Sequence, residues 1–302
     1  FFSSRRRHTR SSTVRGLGDV YKRQIDISGG ELNIGGQIRR MDNTEEGVLI
    51  YNQSGGSVIL GEGTPCTNTR GVFEILNTGS SFTHTGGSFT IAGMPVNPLV
   101  PAFYFDPETV NLTTGTTITF GNSDTPANQS LGIYASKNLK NITVNGTSGN
   151  SPKVFIQTAS LTLDENLTIG AGTEFDANGL QLNIKGNFIN NGTFTHSNNL
   201  TVFNGIVNQE ISGASETTFY RLTKSTSNTL TLQNNIKIDD DLRIEAGIFA
   251  NYFSEATVLG DVYNVATNTW SGIGDGIIFA GNVQQMITGS GTYGKLTINN
   301  HY

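Results

Sequence analysis

Apolar residues in this chain come in short alternating bursts, and the bursts end in asparagine or glycine. The stretch GNFINNGTFTHSNNLTVFNG, residues 186–205, shows the pattern most clearly. Leu161/Leu163, Leu180/Leu182/Ile184 and Ile236/Ile238 each alternate with polar residues, which turns one side of each strand inward. The pattern predicts strands of about three to six residues joined by Asn- and Gly-rich turns, because these residues accept left-handed backbone angles at low cost. A hairpin fold would show the same local alternation. The number of short strands and the scarcity of helical periodicity favour a solenoid.

Internal repeats point the same way. LTLDENLTIGAG at 161–172 matches IKIDDDLRIEAG at 236–247, and FNGIVNQEISG at 203–213 matches FAGNVQQMITG at 279–289. FYRLTK at 219–224 then corresponds to YGKLTI at 293–298. Looser copies are ITFGN at 118–122 with LKNITVNG at 139–146, and SSFTHTGGSFTIAG at 80–93 echoes GTFTHSNNLTVFNG at 192–205. The period drifts between about 75 and 83 residues, too long for one coil but suited to loops that bulge outward from a stack. The expected fold is all-β: a single-stranded, right-handed parallel β-helix, or β-solenoid, with coils of roughly 20 to 25 residues stacked about 4.8 Å apart. The expected organisation is N-terminal β-helix coils over 25–93 and repeats over 111–302, with a loop, edge segment or boundary at 94–110. In that interruption, MPVNPLVPAFYFDPETV, Pro95, Pro98, Pro101 and Pro107 oppose central-strand pairing. Phe103, Tyr104 and Phe105 either pack on the rod or form a local ligand surface. KLTI at 295–298 lies close to Tyr302 with no capping element, so the chain reads as an uncapped internal piece of something longer.

Composition narrows the classes. There are 37 Gly but only 7 Pro, without the strict glycine period of collagen, and the recurring Ile, Leu, Val and Phe argue against a disordered linker. The single cysteine, Cys66, rules out an intrachain disulfide, and no Cys/His spacing suggests zinc. No apolar run is long enough for a membrane-spanning helix and no signal-peptide core precedes the repeats, which places any export signal outside this chain.

The net charge of -5 hides an asymmetry. Residues 1–24 carry seven Lys and Arg against Asp19 alone; without them the chain has a net charge of -11. Taken literally, Arg5 to Arg10 would form an arm for nucleic acid or an anionic membrane. The pieces SSRRRHTR and GDVYKRQ instead resemble translated sequencing-adaptor sequence at the ends of metagenomic reading frames, so the segment is set aside as a non-native leader and no nucleic-acid partner is expected.

Candidate chemistry is sparse. Asp239, Asp240 and Asp241, with Glu245, are the best candidates for a metal site, a calcium-binding turn; the aligned Asp164-Glu165-Asn166 favours a solvated turn instead. A polysaccharide-cleaving enzyme would need carboxylates converging on one face, and Asp106, Glu108, Asp124, Asp164 and Asp176 are scattered. His84 and His196 occupy matching FTH positions and read as surface strand positions. Phe188, Phe194, Phe203, Phe219, Tyr220, Phe279 and Tyr293 recur as core positions, an exposed glycan-binding ladder being the alternative. No catalytic residue and no cofactor other than calcium is expected.

The order GNFINNGTF, LTVFNG, NQEISG, TFYRLTK and LTLQNNIKIDDDLRIEAG resembles the repeats of large secreted, adhesin-like β-helical surface proteins of Bacteroidetes. The likeness is closest over 180–300, recognisable from about 111 and only generic over 25–93. It implies export through type IX secretion to the cell surface. It also implies a structural or adhesive role, with glycans, other cell-surface proteins and neighbouring coils as partners. A polysaccharide-binding or polysaccharide-cleaving enzyme and a passive stalk or spacer are the alternatives. The family supplies no catalytic positions to transfer.

Overall fold

The computed structural model describes residues 12–15, 22–40, 47–62, 70–146, 152–272, 274 and 276–300. Cys66 and Arg5 to Arg10 lie outside them. Every regular element among the described residues is a β-strand, and all pairings but one are parallel. Consecutive strands do not pair with each other. Each pairs with strands one turn earlier and one turn later, which is the topology of a β-solenoid. The exception joins Ser12–Arg15 antiparallel to Lys22–Ile27. Part of the leader set aside from the fold therefore enters it, because the first strand of a parallel stack leaves a row of backbone groups open to whatever precedes it.

The chain divides into two compact units: Phe1–Ala159 with Ala171–Thr173, and Ser160–Gly170 with Glu174–Tyr302. The division falls near residue 160 and not at the proline-rich segment. In the second unit each coil has three faces. One coil runs through Leu182–Ile184, Phe188–Asn190 and Thr193–Thr195 before returning to the first face at Leu200–Phe203. Leu182 pairs with Thr201 and Val262 with Ile287, an advance of 19 to 25 residues per coil. In the first unit Ile133 pairs with Ile156 and Ile50 with Ser81, an advance of 23 to 31 residues. The extra length lies between second- and third-face strands, as at 92–102 and 121–129. These coils outgrow the expected 20 to 25 residues because an outward loop costs the stack little.

Alternation does place the core. In the second unit Leu161, Leu182, Thr201, Leu222, Leu242 and Val262 form one inward column, and Leu163, Ile184, Phe203, Lys224 and Ile244 form the next. The first unit is filled by rings. Tyr51 stacks on Phe82 at 4.9 Å, Phe73 on Phe103 at 5.6 Å and Phe103 on Phe105 at 5.1 Å. Full burial of each such ring contributes about 1.5–3 kcal/mol, and each well-oriented pair about 0.5–1.5 kcal/mol more.

The long sequence repeat does not return to the same face. Leu161–Leu163 belongs to the first-face sheet, whereas its copy, Ile236–Ile238, belongs to the third. Likewise Gln209–Ser212 lies on the second face and its copy, Ile287–Thr288, on the first. Both of these copies are eleven strands downstream of their originals, and eleven is not a multiple of three. Both are thus turned by one face about the coil axis. What the copies share is corner chemistry. Gln209 Nε2 donates to the carbonyls of Ile184 at 2.9 Å and Gly186 at 2.6 Å, while its Oε1 accepts the Gly205 N–H at 2.9 Å. Gln285 repeats this with Val258, Gly260 and Gly281 at 3.1, 2.5 and 2.8 Å. The FNG…Q motif is a buried amide clamp that closes a corner, wherever that corner falls.

Candidate functional site

The acidic turn Asp239–Asp241 forms the corner between Ile236–Ile238 and Leu242–Ile244. Its three carboxylates take three different directions. Asp239 pairs with Lys237 Nζ at 2.6 Å and accepts from His196 Nε2 at 3.3 Å. Asp240 hydrogen-bonds the half-buried Tyr220 phenol, and its negative charge is the main reason that phenol resists ionisation. Asp241 Oδ1 accepts the backbone N–H of Asp261 at 2.9 Å. The aligned Asn166 does the same for Asn187 at 2.7 Å. The backbone packs closely beneath both: a Cβ on Gly260 would lie 2.8 Å from Asp241 Oδ1, and one on Gly186 2.6 Å from Asn166 Oδ1. Asp241 is thus a corner acceptor that an asparagine replaces in the other copy, and the three carboxylates of the expected calcium turn each face a separate partner. Among the described residues no group of three or more His, Cys, Asp or Glu side chains is placed to hold a metal.

This carries a direct test. Asp241→Asn keeps the acceptor and is expected to leave the melting temperature nearly unchanged, whereas Asp241→Ala is expected to cost about 1–2 kcal/mol. Calcium should shift neither melt. A calcium-dependent rise that vanishes in Asp241→Asn would restore the metal reading.

Phe103–Phe105 is a strand, paired with Phe73–Ile75 on one side and Ser130–Ala135 on the other. Phe103 and Phe105 are fully buried, so the expected ligand surface loses two of its three members to the core. Only Tyr104 faces outward, half-buried, edge-on to Tyr134 at 5.0 Å and in register with Glu74, which Arg40 and Arg70 hold at 3.2 and 3.0 Å. The prolines sit before and after the strand, where no ladder bond is lost. Val96 and Leu99 are the exposed apolar residues of this segment.

The two histidines are not equivalent. His84 points into the core in register with Gln53, its ring edge-on to Phe82, and burial lowers its pKa. His196 lies in a turn, stacked on Tyr220 at 5.7 Å. Its Nδ1 accepts the Asn198 N–H at 3.0 Å, which leaves the proton on Nε2 facing Asp239. Both ring nitrogens are thereby occupied.

Beside this corner, the outward side of the first face carries a mosaic. Arg221 and Thr223 on one strand, with Ser225 just past its end, lie next to Arg243 on the following strand, which Asp241 and Glu245 flank. With Leu200 and Val202 they line an open depression of about 360 Å³. Arg243 donates to Glu245 at 3.1 Å and sits 4.4 Å from the Tyr263 ring centroid. Arg221 approaches the Tyr220 ring at 5.7 Å. The corner and this face make one continuous polar surface with alternating charge. Tyr220, Arg221 and Arg243 fall within the aligned repeats and only Tyr263 outside them; Tyr220, expected as a core position, is instead half-buried at the corner. The available signal was alternation itself, which turns Arg221, Thr223 and Arg243 outward.

The scattered carboxylates have separate structural partners. Lys185 pairs with Asp164 at 2.8 Å, Ser197 donates to Asp176 at 2.9 Å, Ser136 to Asp106, and the Gly79 N–H to Glu108. Asp124 hydrogen-bonds Glu62, whose pKa is raised by burial first and then by the Asp124 contact and the charges of Asp124 and Glu31. Sequence reading noted Asp124 but not Glu62.

Fold and surface together define a three-faced parallel β-solenoid with polar outer ladders. No family model matches this chain, and no curated protein or solved structure matches it.

Proposed function

We propose that this chain is a structural or adhesive β-solenoid segment of a larger cell-surface protein, working by extended weak contact and not by catalysis. The observation that carries the reading is the surface from His196 to Tyr263. It is a flat ladder of Arg, Asp, Glu, Thr and Tyr, in which opposite charges neutralise each other in the plane of the sheet. Such a ladder offers many exposed hydrogen-bonding groups and no deep enclosure, which suits a polymer lying along it better than a small molecule held in a cleft. The recurring turns support the same reading, since the repeated motifs build corners and leave the outer faces free to differ from copy to copy. Export and surface display follow from the resemblance of the repeats.

A glycan array probed with the full chain tests this reading. Saturable binding to polysaccharide, unaffected by chelator, is the expected result. A flat array from folded protein would favour a passive stalk, and release of shortened sugars would make the chain an enzyme.

A further inference from the structure

A second surface, on a different corner of the same unit, stands out by its aromatic content. Tyr252 and Phe253 form the turn between Ile248–Asn251 and Glu255–Val258. Trp270, one coil later, is in register with Asn251 at the same corner. These rings are 50%, 49% and 40% exposed, whereas the stacked rings of the first unit are buried. The other corners described above carry Asp, Glu, Asn and Gly with at most the single ring of Tyr220, so three large aromatics in one place are out of pattern.

The geometry is held in place. Phe253 has φ +53°, a left-handed conformation that among the described non-glycine residues is shared with Asn77, Asn128, Asn178, Asn198, Ser197 and Thr158 but with no other aromatic. A bulky ring in that region is strained, and an Asn or Gly would adopt it more cheaply. The Phe253 N–H is nonetheless anchored on Ser271 Oγ at 2.9 Å. The Trp270 indole N–H donates to the Gly274 carbonyl at 2.8 Å, which fixes the ring plane. Tyr252 and Phe253 pack at 4.4 Å and 73°, so their ring faces open in two directions. Lys295 Nζ lies 5.5 Å from the Trp270 ring centroid and also reaches the Gly274 carbonyl at 3.4 Å.

From this arrangement we infer that Tyr252, Phe253 and Trp270 form a binding platform for a pyranose oligosaccharide. The ligand would stack the C–H faces of its sugar rings on the aromatic faces. Its hydroxyls would bond the Lys295 ammonium and the Ser271 hydroxyl. The inference rests on the adhesive reading above and gives that reading a site and a ligand class. The chemistry selects a sugar over an apolar protein face. An apolar partner would strip water from the ammonium and hydroxyl of the rim without replacing their hydrogen bonds, and a sugar replaces them. Preset rings also lose little entropy on binding, which suits a weak, repeated contact.

Trp270 is the only tryptophan in the chain, so its fluorescence reports on this corner alone. The full chain would be titrated with hexasaccharides of glucose, mannose and galacturonic acid while Trp270 emission is followed, alongside the glycan array. A saturable emission shift is expected with at least one of them. Tyr252→Ala and Phe253→Asn should each weaken binding about tenfold, the loss expected for one ring stack. Phe253→Asn should also raise the melting temperature by relieving the left-handed strain, which separates loss of the platform from loss of fold. Array binding without a Trp270 shift, and unchanged in both variants, would overturn the platform and leave the adhesive reading standing. No binding on the array or in titration would remove both. If Tyr252→Ala abolishes self-association and leaves sugar binding intact, the corner is a contact between copies of the chain and the inference fails.

Discussion

Gly205→Ala is expected to lose several kcal/mol of stability and Gln209→Ala on the order of 3 kcal/mol. A Cβ on Gly205 would overlap the Lys185 carbonyl oxygen and lie 2.9 Å from Gln209 Cδ. Both neighbours are fixed, one by the coil below and the other by three hydrogen bonds, so neither can give way. Removing the Gln209 amide strands two carbonyls and one N–H in a buried corner. Gly172→Ala is the control. That glycine has φ +72° but open space around it, so the substitution should cost only about 1 kcal/mol of backbone strain. Urea melts followed by circular dichroism read the difference. Equal losses at Gly205 and Gly172 would show that the clamp does not hold the corner. Gly281 and Gln285 predict the same ranking in the second copy of the motif.

The second large effect runs in the opposite direction. Lys224→Met is expected to stabilise the protein at neutral pH by on the order of 2 kcal/mol. Lys224 occupies an inward position between Phe203 and Ile244, and its side chain is fully buried. Its ammonium bonds to neutral oxygens: the Thr226 carbonyl, Thr226 Oγ1 at 3.2 Å and the Ala246 carbonyl at 3.4 Å. Burial lowers its pKa from 10.5 to about 8. The folded state thus releases this proton more readily than the unfolded chain does. The penalty for burying the charge is complete below pH about 8 and fades as pH rises towards the unfolded value near 10.4. Wild-type stability should therefore climb relative to Lys224→Met across that window, and the advantage of the methionine should shrink. A difference between the two proteins that stays constant with pH would refute the buried-charge account. The aligned Ile298 in the other repeat copy supports an apolar replacement on sequence grounds.

Why a charge sits at that position was not readable from the sequence. Alternation in RLTK turns Leu222 and Lys224 to the same side, so the pattern indicated an inward lysine, yet a terminal strand residue can as easily bend away to solvent. Only the carbonyls gathered around the corner decide that it stays. The same limit explains His84 and His196, which share an FTH context. His84 is the last residue of its strand and keeps the inward parity, whereas His196 falls one residue past its strand, where parity no longer governs direction.

The sequence by itself determined a great deal. Period-two alternation set which side chains fill the core, Asn and Gly marked the corners, and the density of short strands identified a parallel solenoid. It also placed the acidic residues in turns. Tertiary structure decided what local pattern cannot encode. The number of strands between repeat copies determines the face on which each copy lands, and the eleven strands from Leu161–Leu163 to Ile236–Ile238 turn that copy by one face of a three-faced coil. Stacking decided that Asp241 serves the next coil's backbone, that Phe103 and Phe105 close the core, and that Tyr252, Phe253 and Trp270 meet at one corner. These outcomes depend on residues about 20 or more positions apart, brought together by coil length, and no window of sequence shorter than a coil contains that information.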